Sequence, residues 1–456
     1  MSVSKVLVAN RGEIALRVIR SLKEMGIRSA AIYSEADTSC LHKKLADEVH
    51  LIGPSPAAKS YLNAAAIVAL AQEIGADAIH PGYGFLAENA EFAEMCTQAG
   101  VAFIGPTPEN MRLAGDKLAA RQTVEDAGVP VVPGSDRGLL SLDDAIEACG
   151  AIGYPLMLKA SAGGGGRGMR ILYEEQDLKE EFVMAAAEAR AAFGDPTLYV
   201  EKYILHPRHI EVQILSDGQG NAVHLFERNC SVQRRHQKLI EEAPSPDLDP
   251  QVRHAIHASA VKIAQAIEYQ NAGTVEFLLD GDNQFYFMEL NARIQVEHPV
   301  TEMITGHDLI KAQLSIAMGQ GIGFEQDAIH QHGHAIECRI NAEDPEMGFV
   351  PSPGLVEHYR APGGFGVRFD TLLYSGYEIP IYYDSLLGKL IAWGPSRLDA
   401  IGTMDRALKE LHIAPLKTTT PFLLNVIRHD DFINGTYDLD LVSSILGAMD
   451  DEEDDL

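Results

Sequence analysis

Two glutamates, Glu276 and Glu289, stand in apolar runs that flank Gly281-Asp282-Asn283-Gln284, a turn-rich tetrad. A turn centred on Asp282 and Asn283 sets the two carboxylates directly opposite one another in an antiparallel hairpin. Like charges facing across strands are destabilising, and burial beside Phe277, Leu278, Phe287 and Met288 worsens the conflict. A divalent cation between them removes it, and hard carboxylate oxygens suit Mg2+ or Mn2+. A solvent-facing pair with both charges hydrated satisfies the same register. Past the hairpin the alternation continues. Glu289, Asn291, Arg293, Gln295 and Glu297 fall on one side of an extended segment, with Leu290, Ala292, Ile294, Val296 and His298 on the other. Such a wall suits a metal-bound phosphate beside a small anion. A half-buried edge strand with a wet face explains the alternation, but not the mixture of anion-matching groups.

A second set of residues could hold phosphate. YPLMLKASAGGGGRGMR carries Lys159 at a strand end, then Gly163, Gly164, Gly165, Gly166 and Gly168. Glycines let backbone N–H groups approach phosphate oxygens and let a flap open and close. The spacing is not that of a P-loop, and flexible loops share the composition. With Lys159 and Lys117 (in AGDKLAAR), the run points to phosphate binding under a lid. RNCSVQRRHQK gathers Gln233, Arg234, Arg235, His236 and Lys238, which reads as a substrate-facing anion site. Neither His209 nor His236 has a histidine four residues on, which favours hydrogen-bonding roles over metal ligation. Cys230 reads as a packed thiol rather than a nucleophile.

These groups need a frame. Over the first hundred residues KVLVAN, SAAIYS, DAIHPG and VAFIG read as strands, with helices such as IALRVIRSLKEMG and EFAEMCTQAG between them. That alternation implies a parallel, doubly wound sheet, whose functional edge is the carboxyl end of its strands. The expected organisation is an α/β unit over 1–115, a helical connection and glycine-rich lid over 116–203, and a larger mixed-sheet core over 204–330. A C-terminal unit over 331–446 and a frayed acidic tail over 447–456 complete it. The chain has 456 residues, 46% of them hydrophobic and 22% charged, as expected of a soluble globular protein. Its net charge of -28 opposes non-specific binding to nucleic acid or to an anionic membrane surface. The five cysteines form no C-x-x-C spacing, which suits a reducing compartment. No signal peptide or membrane span is evident, so a cytoplasmic location is expected.

Taken in order, KVLVANRGEIALRVIR, HPGYGFLAEN, KASAGGGGRGMR, EKYILHPRHIEVQIL, ERNCSVQRRHQK with EEAPSP, MELNARIQVEHPVTEM, HAIECRINAEDP and YYDSLLGKL resemble the biotin carboxylase family over nearly the whole chain. The resemblance implies an ATP-grasp fold: an N-terminal α/β domain, a mobile lid and a C-terminal catalytic domain. It implies an ATP-dependent carboxylation of biotin by bicarbonate through carboxyphosphate, the first half-reaction of acetyl-CoA carboxylase or of a propionyl-CoA or pyruvate system. Lys117 and Lys159 match ATP-phosphate lysines, beside the glycine run Gly163, Gly164, Gly165 and Gly166. Glu201, Lys202, Tyr203 and Ile204 match the hinge that meets adenine, with His209, Gln233, His236 and Leu278 nearby. Glu276, Glu289 and Asn291 match ligands for two Mg2+ or Mn2+ ions. Arg293, Gln295, the backbone of Val296, and Lys238 match the bicarbonate pocket. Glu297 matches the general base and Arg339 the arginine that steadies biotin's enolate, with Tyr83 and Lys238 beside that pocket. For Arg339, an ion pair with Glu337 or Asp344 is the structural alternative.

Three positions depart from the family pattern. Ala292 replaces a usual threonine on the apolar side, Asn229 replaces an aspartate before Cys230, and Ala162 replaces a loop glycine. No biotinyl met-lys-met segment is present, so a separate biotin carboxyl carrier protein and a separate carboxyltransferase are the expected partners, and the resemblance implies a homodimer. A carbamoyl-phosphate synthetase-like ligase would share the carboxylates but leaves HPGYGFLAEN and ECRINAEDP unexplained. A dinucleotide-binding dehydrogenase is disfavoured because ANRGEIA carries one glycine where G-x-G-x-x-G is needed. A non-catalytic nucleotide-sensing module has no use for so many reactive groups.

Overall fold

The computed structural model describes residues 3–161 and 169–454. The glycine run from Gly163 to Gly168, with Ala162, lies outside the described residues. Short apolar strands build the first unit: β1 (Lys5–Val8), β2 (Arg28–Ser34), β3 (Glu48–Gly53), β4 (Ala78–His80) and β5 (Ala102–Phe103). They form one parallel sheet in the order β3-β2-β1-β4-β5. β1 is almost wholly buried, as a strand covered on both faces by crossover helices should be. Helix α1 (Gly12–Glu24) follows it and buries most of its surface. β3, an edge strand with Val49 and Leu51 exposed, has no counterpart in the sequence reading, because its burial alternates too weakly to stand out.

The loops after β1 and β4 meet at the carboxyl end of this sheet. Asn10 Nδ2 donates to the Pro81 carbonyl at 2.6 Å and to the Tyr83 carbonyl at 2.8 Å. Gly82 sits between them at φ 64°, and a Cβ there would lie 2.9 Å from Asn10 Nδ2. Only glycine fits both the backbone and the space. This clamp fixes where Tyr83 stands.

Two helices, Pro108–Gly115 and Lys117–Asp126, lead to a small antiparallel sheet in the order β7-β6-β8. Its strands are β6 (Leu156–Ala160), β7 (Arg170–Leu172) and β8 (Leu198–Lys202), and it has its own core around Leu158, Phe182 and Val200. The largest unit contains β9 (Arg208–Asp217), β10 (Ala222–Arg234), β11 (Gln237–Ala243), β12 (Gln270–Leu279) and β13 (Phe285–Asn291). It adds β14 (His334–Asn341), β15 (Val367–Thr371) and β16 (Leu386–Gly394). The sheet order is β13-β12-β9-β10-β11-β14-β16-β15, and every pairing is antiparallel, so it is uniform rather than mixed. It runs straight across residue 330, because β11 pairs with β14. Helix α2 (His298–Thr305) packs on β14 and β10. The last helix runs from Leu441 to Asp454, so the acidic stretch continues a helix rather than fraying from residue 447. Leu441, Val442 and Ile445 anchor that helix in a buried cluster. No helix among the described residues is long and apolar enough to cross a membrane.

Candidate active site

The hairpin brings Glu276 of β12 and Glu289 of β13 into register as direct partners. It does so by an indirect route. Phe277 pairs with Phe287 and Leu279 with Phe285, which centres the loop on Asp282 alone. A bulge between Glu276 and Phe277 then takes up one residue and returns the glutamates to register. Asp280 Oδ1 accepts the N–H groups of Asp282 at 2.9 Å and Gln284 at 2.8 Å, and Asn283 takes the left-handed conformation at φ 60°. On its other side Glu276 is the register partner of Glu211 on β9, and Glu211 that of Arg228 on β10. One row across four strands therefore reads carboxylate, carboxylate, carboxylate, guanidinium.

The sheet tolerates this row because cations interleave it. Lys238 Nζ lies 2.5 Å from Glu211 Oε2, 3.0 Å from Glu276 Oε1 and 2.6 Å from Glu297 Oε1. Burial opposes its charge, but Glu211, Glu276 and Glu297 outweigh that and hold the ammonium well above its ordinary range. Burial likewise opposes an ionised Glu276, yet Lys238 and His209 keep its carboxyl well below the usual range. His209 Nε2 stands 3.1 Å from Glu276 Oε2, and its Nδ1 meets Gln233 Nε2 at 2.7 Å. Arg228, fully buried, donates to Glu211, Gln213, Thr301, Thr274 and Gln295.

Beyond β13 the wall forms as the alternation implies, down to Gln295. Glu289, Asn291, Arg293, Gln295 and Glu297 all line one cleft of ≈ 870 Å³. Leu290, Ala292 and Ile294 are buried in the apolar clusters behind. Val296 departs from the pattern. It lines the cleft too, because the chain turns at Val296 and Glu297 to start α2, and period-two alternation ends there. Arg293 Nε donates to Glu88 at 2.9 Å and its terminal nitrogen to Asn291 Oδ1 at 3.1 Å. Gln295 Nε2 donates to Glu276 Oε1 at 2.7 Å.

Glu297 is 2% exposed at the cleft floor. Burial works against its charge, but Lys238 and Arg339 hold its carboxyl far below the usual range. Arg339 reaches Glu297 Oε2 at 3.0 Å and Glu241 at 2.5–2.6 Å. The alternative partners Glu337 and Asp344 make no ion pair with Arg339 among the described residues. Arg339 is instead taken by Glu241, the cross-strand partner of Glu337, and by Glu297, and Asp344 lies beyond the end of β14.

Lys117, Lys159, His209, Gln233, His236, Leu278 and Tyr83 line the same cleft. Lys117 Nζ is 3.7 Å from Glu289, and Lys159 forms a close ion pair with Glu201. Burial and Lys159 lower the pKa of His236. The Tyr83 hydroxyl is bonded to Glu13, which fixes its ring at the cleft edge. Glu201, Lys202, Tyr203 and Ile204 are not on the cleft wall. The Lys202 ammonium instead donates to the carbonyls of Gly153 and Tyr154, each at 2.9 Å. Gly163, Gly164, Gly165 and Gly166 fall outside the described residues. Cys230 is a fully buried free thiol whose pKa burial raises well above the ordinary value. Asn229 is buried with its carboxamide oxygen accepting the Ser231 N–H at 2.9 Å, and Ala292 is fully buried.

Sequence reading missed Glu211, Arg228 and Glu241. The signal for Glu211 was present, since His209, Glu211 and Gln213 alternate along β9 as the hairpin residues do. Arg228 and Glu241 matter through partners distant in sequence, which no local pattern shows. The hairpin itself offers oxygen donors, two facing carboxylates and the Asn291 amide, with His209 Nε2 standing 3.1 Å from Glu276. Glu289 meets a cation only through Lys117 at ion-pair distance among the described residues, so these groups fit a hard divalent ion.

Three family models tile the chain: "Biotin carboxylase, N-terminal domain" over residues 2–111, "Carbamoyl-phosphate synthase L chain, ATP binding domain" over 116–324, and "Biotin carboxylase C-terminal domain" over 337–444. A biotin carboxylase of Nostoc sp. is 54% identical over 445 residues, covering 98% of this chain and 100% of that protein. The crystal structure of a Campylobacter jejuni biotin carboxylase–β,γ-ATP complex superposes with a TM-score of 0.94 at 49% identity, covering 97% of this chain and 99% of that one. The biotin carboxylase domain dimer of Hydrogenobacter thermophilus 2-oxoglutarate carboxylase, solved with MgADP, ADP and bicarbonate, gives a TM-score of 0.93 at 50% identity. It covers 97% of this chain and 98% of that one. The fold and cleft define an ATP-binding ligase. The chain belongs to the biotin carboxylase family, and ATP-dependent carboxylation of biotin is the activity that membership carries.

Proposed function

We propose that this cleft activates bicarbonate with ATP and passes the carboxyl group to biotin borne on a separate carrier protein. The observation that carries the reading is Glu297, buried between Lys238 and Arg339 at the end of a wall that begins at the Glu276–Glu289 pair. Lys117 and Lys159 face the polyphosphate, and His209, Gln233, His236 and Leu278 the nucleotide, beside the segment Glu201–Ile204. Glu276, Glu289 and Asn291 would hold Mg2+ or Mn2+, which when bound neutralises phosphate charge. Arg293, Gln295, Lys238 and the Val296 backbone face bicarbonate.

Glu297 takes the proton of bicarbonate as its oxygen attacks the γ-phosphorus, giving carboxyphosphate and ADP. In the resting cleft Lys238 and Arg339 suppress the basicity of Glu297. Binding of substrate oxyanions competes for those cations and restores it, which ties base strength to occupancy. Carboxyphosphate then releases CO2 and a phosphate that takes the proton of the biotin ring nitrogen, and that nitrogen bonds to the CO2 carbon to give carboxybiotin. Arg339 stabilises the enolate that develops on the ureido oxygen, with Tyr83 alongside. A carboxyltransferase consumes the product. A homodimer is the proposed assembly, supported by the dimeric Hydrogenobacter relative. That relative acts on 2-oxoglutarate in name, and acetyl-CoA is the acceptor we propose for this chain's system.

The test uses purified chain with ATP, Mg2+ and bicarbonate. ADP release should require bicarbonate and rise on addition of free biotin. Stimulation by ammonia in place of biotin would favour a carbamoyl-phosphate-type ligase.

A further inference from the structure

Behind Arg339 lies a buried pair of carboxyl groups. Glu241 of β11 and Glu337 of β14 are direct register partners, and both are 0% exposed. Their side chains share a face of the sheet with Arg339, two residues beyond Glu337. Arg339 Nε donates to Glu241 Oε1 at 2.6 Å, and its terminal nitrogen lies 2.5 Å from the same oxygen. The other oxygen of Glu241 and both oxygens of Glu337 have no hydrogen-bond partner among the described residues. No cation lies within ion-pair distance of Glu337 among those residues. Lys389 on β16 is fully buried, and its ammonium lies 3.2 Å from Glu13 and beyond ion-pair distance of Glu337.

Two ionised carboxylates are strongly disfavoured facing each other here at zero exposure, with a guanidinium that reaches only Glu241. A single proton resolves the conflict: a neutral carboxyl donates to its anionic neighbour. We infer that Glu241 and Glu337 share one proton, and that the single negative charge left on Glu241 is the pivot that keeps Arg339 turned toward Glu297 and the cleft. Burial pushes both groups above the ordinary carboxyl range, with Glu241 adding to the rise at Glu337 and Glu297 to the rise at Glu241, while Arg339 opposes both. The charged groups that bear on the pair are Arg339, Glu297, Lys238 and Lys389. Glu241 is thus the positioning residue and Glu337 its neutral neighbour, and the terminal nitrogen of Arg339 that touches both Glu241 and Glu297 can exchange Glu297 for an oxyanion. The inference rests on the proposed role of Arg339 in the biotin step.

Infrared difference spectroscopy of the full chain tests the proton directly. The carbonyl stretch of a neutral carboxylic acid should be present at neutral pH and vanish in Glu337→Gln, which keeps a neutral donor opposite Glu241. That variant should fold and hold biotin-dependent ATP turnover within about twofold of the parent. Glu241→Gln should raise the KM for free biotin, or lower the matching kcat, by about tenfold or more while the KM for ATP stays put, the effect of losing one charge-assisted hydrogen bond. Absence of the band overturns the inference without any variant. So does a Glu337→Gln chain that fails to fold or loses activity as Glu241→Gln does, because a group already neutral tolerates a neutral isostere. If Arg339→Gln leaves biotin turnover intact, the role of Arg339 fails while the band still reports the shared proton.

Discussion

At Glu297 the chemistry and the electrostatics pull in opposite directions. A general base works best when its pKa lies near the working pH, yet Lys238 and Arg339 hold this carboxyl far below its ordinary range. The two cations keep it ionised and wait for the substrate anions. Glu297→Gln removes the base and keeps the shape. Its bicarbonate-dependent turnover should fall by about 10²–10⁴-fold while the KM for ATP changes little, as steady-state kinetics will read. Glu289 is the more exposed of the facing carboxylates, with 35% of its side chain accessible. Glu289→Gln should raise the Mg2+ concentration for half-maximal ADP release by roughly tenfold, the loss of one charged ligand, with protein stability unchanged. A metal titration checks it. Much of this was legible in the sequence, because an extended segment converts spacing into facing and Glu289, Asn291, Arg293 and Gln295 could be placed by counting. Counting stops where the chain bends, and so Val296 ended on the cleft side.

At the scale of the element, the hairpin shows why register is harder to read than existence. Both strands and the turn were evident from residue types, but the bulge beside Glu276 was not, because it reflects how β12 fits between two neighbours. β11 shows the same limit. Glu242 on its opposite face takes the N–H groups of Arg397 at 2.7 and 2.9 Å, His334 at 2.5 Å and the Tyr437 hydroxyl at 2.5 Å. All three donors are remote in sequence, and together they tie the C-terminal helices to the sheet. Burial opposes ionisation of Glu242, but His334 and Arg397 outweigh it and bring the carboxyl down to about 2 from 4.5. A depressed carboxyl stabilises the fold above its ordinary pKa and loses that contribution as pH falls through about 2. Glu242→Gln should therefore destabilise the protein at neutral pH by roughly 3 kcal/mol. The gap between variant and parent should narrow as pH drops below 4.5 toward 2, as denaturant titrations at several pH values will show. An unchanged gap would remove Glu242 from this linkage.

The whole molecule assembles its cleft from three units. Tyr83 comes from the carboxyl edge of the parallel sheet, Lys117 and Lys159 from the small unit and its connection, and the carboxylate row and Arg339 from the eight-stranded sheet. The first unit was legible because βα alternation is local. The continuity of the last was not, because the β11–β14 pairing joins residues on either side of the expected boundary at 330. In a chain of net charge -28, the cleft gathers Lys117, Lys159, Lys238, Arg293 and Arg339, which concentrates positive charge where the anionic substrates would bind. In the proposed reaction bicarbonate, not water, attacks the γ-phosphorus there. Turnover with ¹⁸O-labelled bicarbonate in unlabelled water, followed by mass spectrometry of the released phosphate, tests it most directly. One bicarbonate oxygen is expected in each phosphate formed. Phosphate that carries its new oxygen from water instead would contradict it.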